Sequence, residues 1–126
     1  MADQRSIGIV IASHVEELAK GTYLLLQESA PDVSITYVGG TDDGEIGSSF
    51  EKILTAVEAN DADELFAFYD LGSAKMTLEI VQETSDKTIH LMDTALIEGA
   101  FAAAALLQGN YSLTEIKKQL VPLTIK

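Results

Sequence analysis

Ile7-Gly8-Ile9-Val10-Ile11-Ala12-Ser13-His14 is an apolar run that ends in a polar ring and passes directly into an amphipathic segment, Val15 to Leu26. The run reads as a strand, and its turn into a helix puts His14 at the carboxyl edge of a sheet. In open α/β folds ligands and chemistry collect at that edge. The chain has one other histidine, His90, and no cysteine. A nucleophile protonatable near neutral pH is therefore scarce here, and one copy holds the edge position.

Outward from this run, strand and helix alternate. Strand one spans about Ser6 to Ser13 and helix one about Val15 to Glu28, with Leu18, Tyr23, Leu25 and Leu26 roughly on one face. Pro31 and Asp32 break that helix. Strand two is Val33 to Val38, followed by a glycine-rich loop from Gly39 to Ser49. Helix two runs from about Ser49 to Ala59, with Phe50, Ile53, Leu54 and Val57 at helical spacing. Strand three is Glu64 to Tyr69, ended by Asp70. Leu71-Gly72-Ser73-Ala74 then turns into helix three, about Lys75 to Glu83. Strand four is Thr88 to Met92. A further helix spans about Ile97 or Glu98 to Leu107 and stops at Gly109-Asn110. Ser112-Leu113-Thr114-Glu115 reads as a capping box, Ser112 capping and Glu115 reaching back, and opens a last helix that Pro122 ends after Leu120.

Strands one and three are nearly all apolar, as expected where helices cover both sheet faces. The expected fold is α/β: one doubly wound domain over residues 1–126, with a mainly parallel four-stranded sheet in the order 2-1-3-4. In that order strands one and three are neighbours and the topological switch lies between them. His14 is then brought beside Asp70.

The chain's 126 residues, 47% apolar and 22% charged, suffice for a globular core built mainly from Ile, Leu, Val and Ala. Twenty acidic residues against eight basic give a formal charge of -12. Phosphate-rich nucleic acid and anionic membrane surfaces would be repelled; the charge suits a partner with a basic face, but acidity by itself reads first as plain solubility. The absence of cysteine excludes disulfides and thiolate metal sites. Met1 to Ser6 has no leader pattern, and the longest apolar stretch, Gly99 to Leu107, is far short of the roughly 20 residues of a membrane helix. A cytoplasmic location is expected.

A carboxylate bonded to one ring nitrogen fixes the tautomer of a histidine and leaves the other nitrogen as an outward lone pair. Asp70 is placed to do this for His14, although aspartate at such a position also serves as a helix N-cap. Gly72 and Ser73 open a helix, where backbone N–H groups and the positive dipole end hold anions. Together these residues describe a pocket for a phosphoryl group carried on imidazole. Thr41 and Ser48, with Ser49, add possible donors from the Gly39–Ser49 loop, which lacks the nucleotide P-loop pattern and reads equally as a solvated loop. His90, between Ile89 and Leu91, reads as structural. The histidines and carboxylates have no metal-ligand spacing, and no Gly-x-Ser-x-Gly elbow occurs. The alanines from Ala100 to Ala105 suit tight helix packing, on the sheet or on a second subunit.

Ile-Val-Ile-Ala-Ser-His (9–14), Asp-Leu-Gly-Ser-Ala (70–74) and Ala-Leu-Ile-Glu-Gly-Ala (95–100) resemble the DhaM family, the phosphotransferase subunits of bacterial dihydroxyacetone kinase. That family is similar to the mannose-family IIA component of the sugar phosphotransferase system. The resemblance covers almost the whole chain and implies a mannose-family IIA-like domain over 1–126. It implies that His14 takes a phosphoryl group from the phosphocarrier HPr and passes it to ADP in the kinase's nucleotide-binding subunit, remaking ATP that phosphorylates dihydroxyacetone. Phosphoenolpyruvate is the original donor. His14 matches the family's phosphorylated histidine, Asp70 the aspartate beside it and Ser73 the phosphate-site serine. The resemblance further implies a homodimer and no cofactor on this chain, with ADP and magnesium on the partner subunit. Val15 departs from the small polar residue of several relatives.

Rival readings remain. A sugar-transport IIA subunit would use the same His14, but such relatives tend to have an extra Gly and a Pro around the serine of Asp-Leu-Gly-Ser-Ala. A receiver domain phosphorylated on Asp70 needs an acidic pair where Ser13-His14 stands. A flavin module needs a Ser/Thr/Gly-rich loop after strand one, where Glu16 and Glu17 would repel the flavin phosphate.

Overall fold

Alternation along the first strand divides the core into two layers. The computed structural model describes residues 7–126, so Ser6, expected to begin strand one, and the Met1–Ser6 segment lie outside the described residues. The elements are β1 (Ile7–Ser13), α1 (Glu16–Ser29), β2 (Ile35–Gly39), α2 (Phe50–Ala59), β3 (Glu64–Tyr69), α3 (Gly72–Thr84), β4 (Thr88–Met92), α4 (Leu96–Gln108) and α5 (Leu113–Leu120), followed by a 3-10 turn, Val121–Leu123. The four strands pair in parallel in the order β2-β1-β3-β4. All of β1 is buried. Ile7, Ile9 and Ile11, with Phe66 and Phe68 of β3, face α1, α4 and α5. Val10 and Ala12, with Leu65, Ala67 and Tyr69, face α2 and α3. Such period-two alternation is what helices on both faces demand.

The register decides where the chemistry falls. Ser13 lies opposite Gly39, Ala12 opposite Tyr69 and Phe68 opposite Met92. The carboxyl ends of all four strands are therefore close to level, and His14, Gly40, Asp70 and Asp93 leave the sheet at one edge. Among the described residues no helix is long and apolar enough to cross a membrane.

Four local expectations are corrected. On α1 the buried positions are Ala19, Thr22 and Leu26, while Leu18 and Leu25 are exposed and Tyr23 is half-buried against Tyr37. Small side chains at positions 19 and 22 let the helix lie close to the sheet, and the Thr22 hydroxyl is satisfied by the Leu18 carbonyl at 2.8 Å; hydrophobicity alone favours the wrong leucines. Strand β2 begins two residues later than expected, because Val33 N–H is used by the Ala30 carbonyl in the turn after α1. Helix α3 starts at Gly72 rather than Lys75, since extended Leu71 is its N-cap and Gly72-Ser73-Ala74 form the first turn despite modest propensity. Only half of the capping box forms: Ser112 Oγ accepts from Glu115 N–H at 3.1 Å, while the Glu115 carboxylate accepts from Gln119 instead of reaching back.

Three of the α4 alanines belong to the core, while Ala102 is half-buried and Ala105 exposed. Ala100, Ala103 and Ala104 are fully buried, and Gly99 lies against Thr94 and Phe68. Ile97 and Phe101 face outward.

Gly39 is where β2 meets the start of α1. A Cβ there would stand 2.5 Å from Glu16 Cα and 2.7 Å from the Val15 carbonyl oxygen, both backbone atoms. Gly39→Ala should therefore destabilise the fold by about 1–3 kcal/mol through overpacking, measurable by urea unfolding. An unchanged midpoint would contradict the close approach.

Candidate active site

Asp70 leaves β3 one residue after Tyr69 and collects donors from the end of β1. Its Oδ2 accepts from Ser13 Oγ at 2.8 Å and from His14 N–H at 2.9 Å. Its Oδ1 meets His14 Nδ1 at 2.8 Å and accepts from Leu71 N–H at 2.7 Å. Burial works against the charge on Asp70, but the bonds from His14, Ser13 and Leu71 outweigh it and hold the carboxyl below the usual carboxylate range. An ionised carboxylate only accepts, so Nδ1 of His14 carries the proton. Nε2 is then a lone pair, and Ser73 Oγ lies 2.5 Å away as its donor. The N-cap of α3 is Leu71, so Asp70 belongs to the histidine and not to the helix cap.

The His14 ring is more sheltered than an edge position alone implies, with 11% of its side chain exposed. Its Nε2 is turned toward Ser73, which is exposed. The Gly39–Ser49 loop helps confine it. Gly47 N–H donates to the His14 carbonyl at 2.9 Å and Gly40 N–H to the Ser13 carbonyl at 3.2 Å, with Gly40 in the left-handed region at φ 75° that glycine tolerates.

The other expected donors are placed unequally. Gly72 and Ser73 are the first two residues of α3, where N–H groups lack intrahelical partners by construction. Ser48 is drawn toward α3, its Oγ 3.5 Å from Thr77 Oγ1 one turn beyond Ser73. Thr41 is not brought to the ring: its Oγ1 accepts from Glu45 N–H at 3.2 Å and closes its own loop. Ser49 accepts from Lys52 N–H to cap α2 and donates to Asp42. His90 lies within β4, away from the ring of His14, held by Glu64 at 2.7 Å and packed on Phe66.

Sequence reading missed several participants. Ser13 clamps Asp70 and accepts from Val15 N–H at 3.0 Å, a role visible only once the strand order is known. Tyr69 donates its hydroxyl to Asp93, which also pairs with Lys75 at 3.1 Å. The Tyr69 bond, against the cost of burial, holds Asp93 below the ordinary carboxylate range. Burial, and then the bond to the same partner, push the Tyr69 phenol up. Lys126 lies over the Tyr69 ring. Hollows of about 660, 680 and 440 Å³ lie along the β2 edge, under the amino ends of the strands and along the β4 edge, and none is lined by His14, Asp70 or Ser73.

Residues 8–117 match the EIIA-man family model, described as the PTS system fructose IIA component. The phosphoryl donor subunit DhaM of PEP-dependent dihydroxyacetone kinase 1 from Listeria innocua is 48% identical over 119 residues, spanning 94% of this chain and 96% of that one. The phosphotransferase subunit DhaM of the PTS-dependent dihydroxyacetone kinase from Lactococcus lactis is 45% identical, spanning 94% and 97%. A crystal structure of a protein of unknown function superimposes with a TM-score of 0.82 at 30% identity, covering 95% of this chain and 96% of the other.

The bonds to Asp70 should show in the pH dependence of stability. Its folded pKa is lowered, so its contribution is complete above the unfolded value near 3.9 and is lost as pH falls through the folded value. Urea unfolding between pH 6 and 3 should show stability falling below about pH 4. Asp70→Asn should flatten that fall and leave the share due to Asp93. Equal slopes in the two proteins would contradict the bonding described for Asp70.

Proposed function

This chain belongs to the family of PTS fructose IIA components, together with the DhaM subunits, and we propose on that premise that it is the phosphoryl donor subunit of a phosphoenolpyruvate-dependent dihydroxyacetone kinase. The observation that carries the reading is the His14 ring, bonded to Asp70 through Nδ1 and turned toward Ser73 through Nε2. Phospho-HPr presents a phosphoryl group to Nε2. The Nε2 lone pair forms the new P–N bond as the donor's P–N bond breaks, and that electron pair returns to the donor ring. The Nδ1 proton stays on the Asp70 side throughout. In the second half the His14 P–N bond breaks, the β-phosphate oxygen of ADP on the nucleotide-binding subunit forms the new P–O bond, and His14 recovers its lone pair. Magnesium belongs with that ADP. The ATP so formed phosphorylates dihydroxyacetone on a third subunit.

The chain's own part is positioning and electrostatics. Ser73 Oγ, the donor to Nε2 in the resting site, is placed to turn to a phosphoryl oxygen. The opening N–H groups of α3 at Gly72 and Ser73 face developing negative charge with the positive end of a 13-residue helix. Exposed Ile46 and Leu71 lie on the two segments bonded to His14 and Asp70, giving a docking protein apolar contact around a polar centre. The site is an edge and not a cavity, which suits transfer between proteins. A homodimer is part of the proposal; Ala100, Ala103 and Ala104 are used internally, so outward Ile97 and Phe101, with exposed Ala105, are its candidate contacts.

A relay assay tests the reading. With phosphoenolpyruvate, Enzyme I and HPr, the protein should gain acid-labile phosphate, and His14→Ala should fold yet gain none. Adding ADP-loaded kinase subunits and dihydroxyacetone should discharge the label into dihydroxyacetone phosphate. Labelling without discharge would point to a sugar-transport acceptor, and label on His14→Ala would overturn the assignment. Asp70→Ala removes a charged hydrogen bond of about 1.5–3 kcal/mol and should slow transfer roughly 10–100-fold; an unchanged rate would remove Asp70 from the mechanism. Sedimentation should give a dimer, and a monomer would contradict that part.

A further inference from the structure

Residues 121–126 fold back over the carboxyl edge of the sheet. Thr124 bridges Thr94 in antiparallel fashion, and the N–H groups of Ile125 and Lys126 both donate to the Asp93 carbonyl, at 3.1 and 3.2 Å. This strap delivers the Lys126 ammonium to the end of β3. There Nζ donates to the Tyr69 carbonyl, the residue just before Asp70, and lies 4.2 Å from the centre of the Tyr69 ring.

Cations are sparse in this chain, eight basic residues against twenty acidic. Even so, three lysines gather where the strands end. Lys52 donates to the carbonyls of Gly39 and Thr41 after β2, Lys75 pairs with Asp93 after β4, and Lys126 serves β3. Lys52 and Lys75 stand near the starts of α2 and α3, where the helix dipole disfavours positive charge. Their placement follows the edge rather than helix preference. Lys75 is answered by the Asp93 carboxylate. Lys126 bonds only backbone among its hydrogen bonds, and the carboxylates that face it are Asp70 and Asp93. Burial draws its ammonium below the usual lysine range, against the attraction of those two carboxylates.

We propose that Lys126 is a positioning residue for the His14–Asp70 couple: its Nζ holds the end of β3 through the Tyr69 carbonyl and sets a positive charge beside the carboxylate that orients the imidazole. This rests on the His14 reading above and adds a residue to it. The charged and titratable groups about the couple are Asp70 itself, Lys126, the Asp93–Lys75 pair with the Tyr69 hydroxyl, and Glu16 and Glu17 in the first turn of α1. Removing the Lys126 charge leaves Asp70 free to stabilise imidazolium. A protonated Nε2 has no lone pair for phosphorus, so the cost falls at the acid side.

The test is Lys126→Met beside Lys126→Arg, in two readouts. In the unphosphorylated protein, NMR signals of the His14 ring followed across pH should show the ring taking its second proton more readily in Lys126→Met than in the parent, with Lys126→Arg returning toward the parent. In the phosphorylation assay the acid limb of the rate profile should shift upward with it, leaving the alkaline plateau within about twofold. Should Lys126→Met not fold, Lys126→Gln, which can still donate to the Tyr69 carbonyl without charge, carries the same expectation. An unmoved titration and acid limb in a folded variant, even with a lowered melting temperature, would reduce Lys126 to a structural strap and overturn the proposal. Failure of the parent to accept phosphate would instead overturn the functional reading, and the ring titration would still decide the place of Lys126.

Discussion

A carboxylate at the half-buried end of β3 stays charged only if donors occupy its lone pairs, and Asp70 receives four of them. Three come from Ser13 and His14 at the end of β1, and one from Leu71 before α3. The Ala12–Tyr69 register sets the two strand ends one step from this meeting point. The ring of His14 cannot turn over without giving up the bond to Oδ1, and Asp70 cannot move without releasing the backbone of His14. Strand order and register bring these groups together, and one set of bonds then fixes the tautomer and orientation of the histidine.

The sheet was legible because its signals are local and redundant. β3 and β4 have the bounds that their apolar runs and flanking polar residues imply, and the β2-β1-β3-β4 order follows from strand–helix alternation in a short chain. The meeting of His14 with Asp70 follows from that order. Helix faces were less legible. Hydrophobicity favours Leu18 and Leu25 of α1, yet close packing on the sheet is decided by Ala19 and Thr22, whose small size carries no strong apolar signal. Glycine and serine read as turn, so the start of α3 falls too late in the local pattern, whereas here the Ser73 bond to His14 ties down the first helical turn.

The site was legible to the extent that its members end strands or open helices. His14, Asp70, Gly72 and Ser73 do so; Ser48 lies against α3; Thr41 turns into its own loop. What local pattern could not show is the long-range electrostatics. Lys126 is 56 positions from Asp70 in sequence, and Asp93 reaches Tyr69 across the neighbouring strand. An acidic chain that nonetheless brings Lys52, Lys75 and Lys126 to one edge has a local field that its net charge of -12 conceals.

The central claim is that Asp70 keeps the proton on Nδ1 and leaves Nε2 to take phosphorus. Nitrogen-15 NMR of the phosphorylated, labelled protein reads this directly through the two ring nitrogens of His14. The account predicts phosphorus on Nε2, with Nδ1 still protonated and its proton strongly deshielded by the bond to Asp70. Phosphorus on Nδ1, or on any residue other than His14, would contradict it.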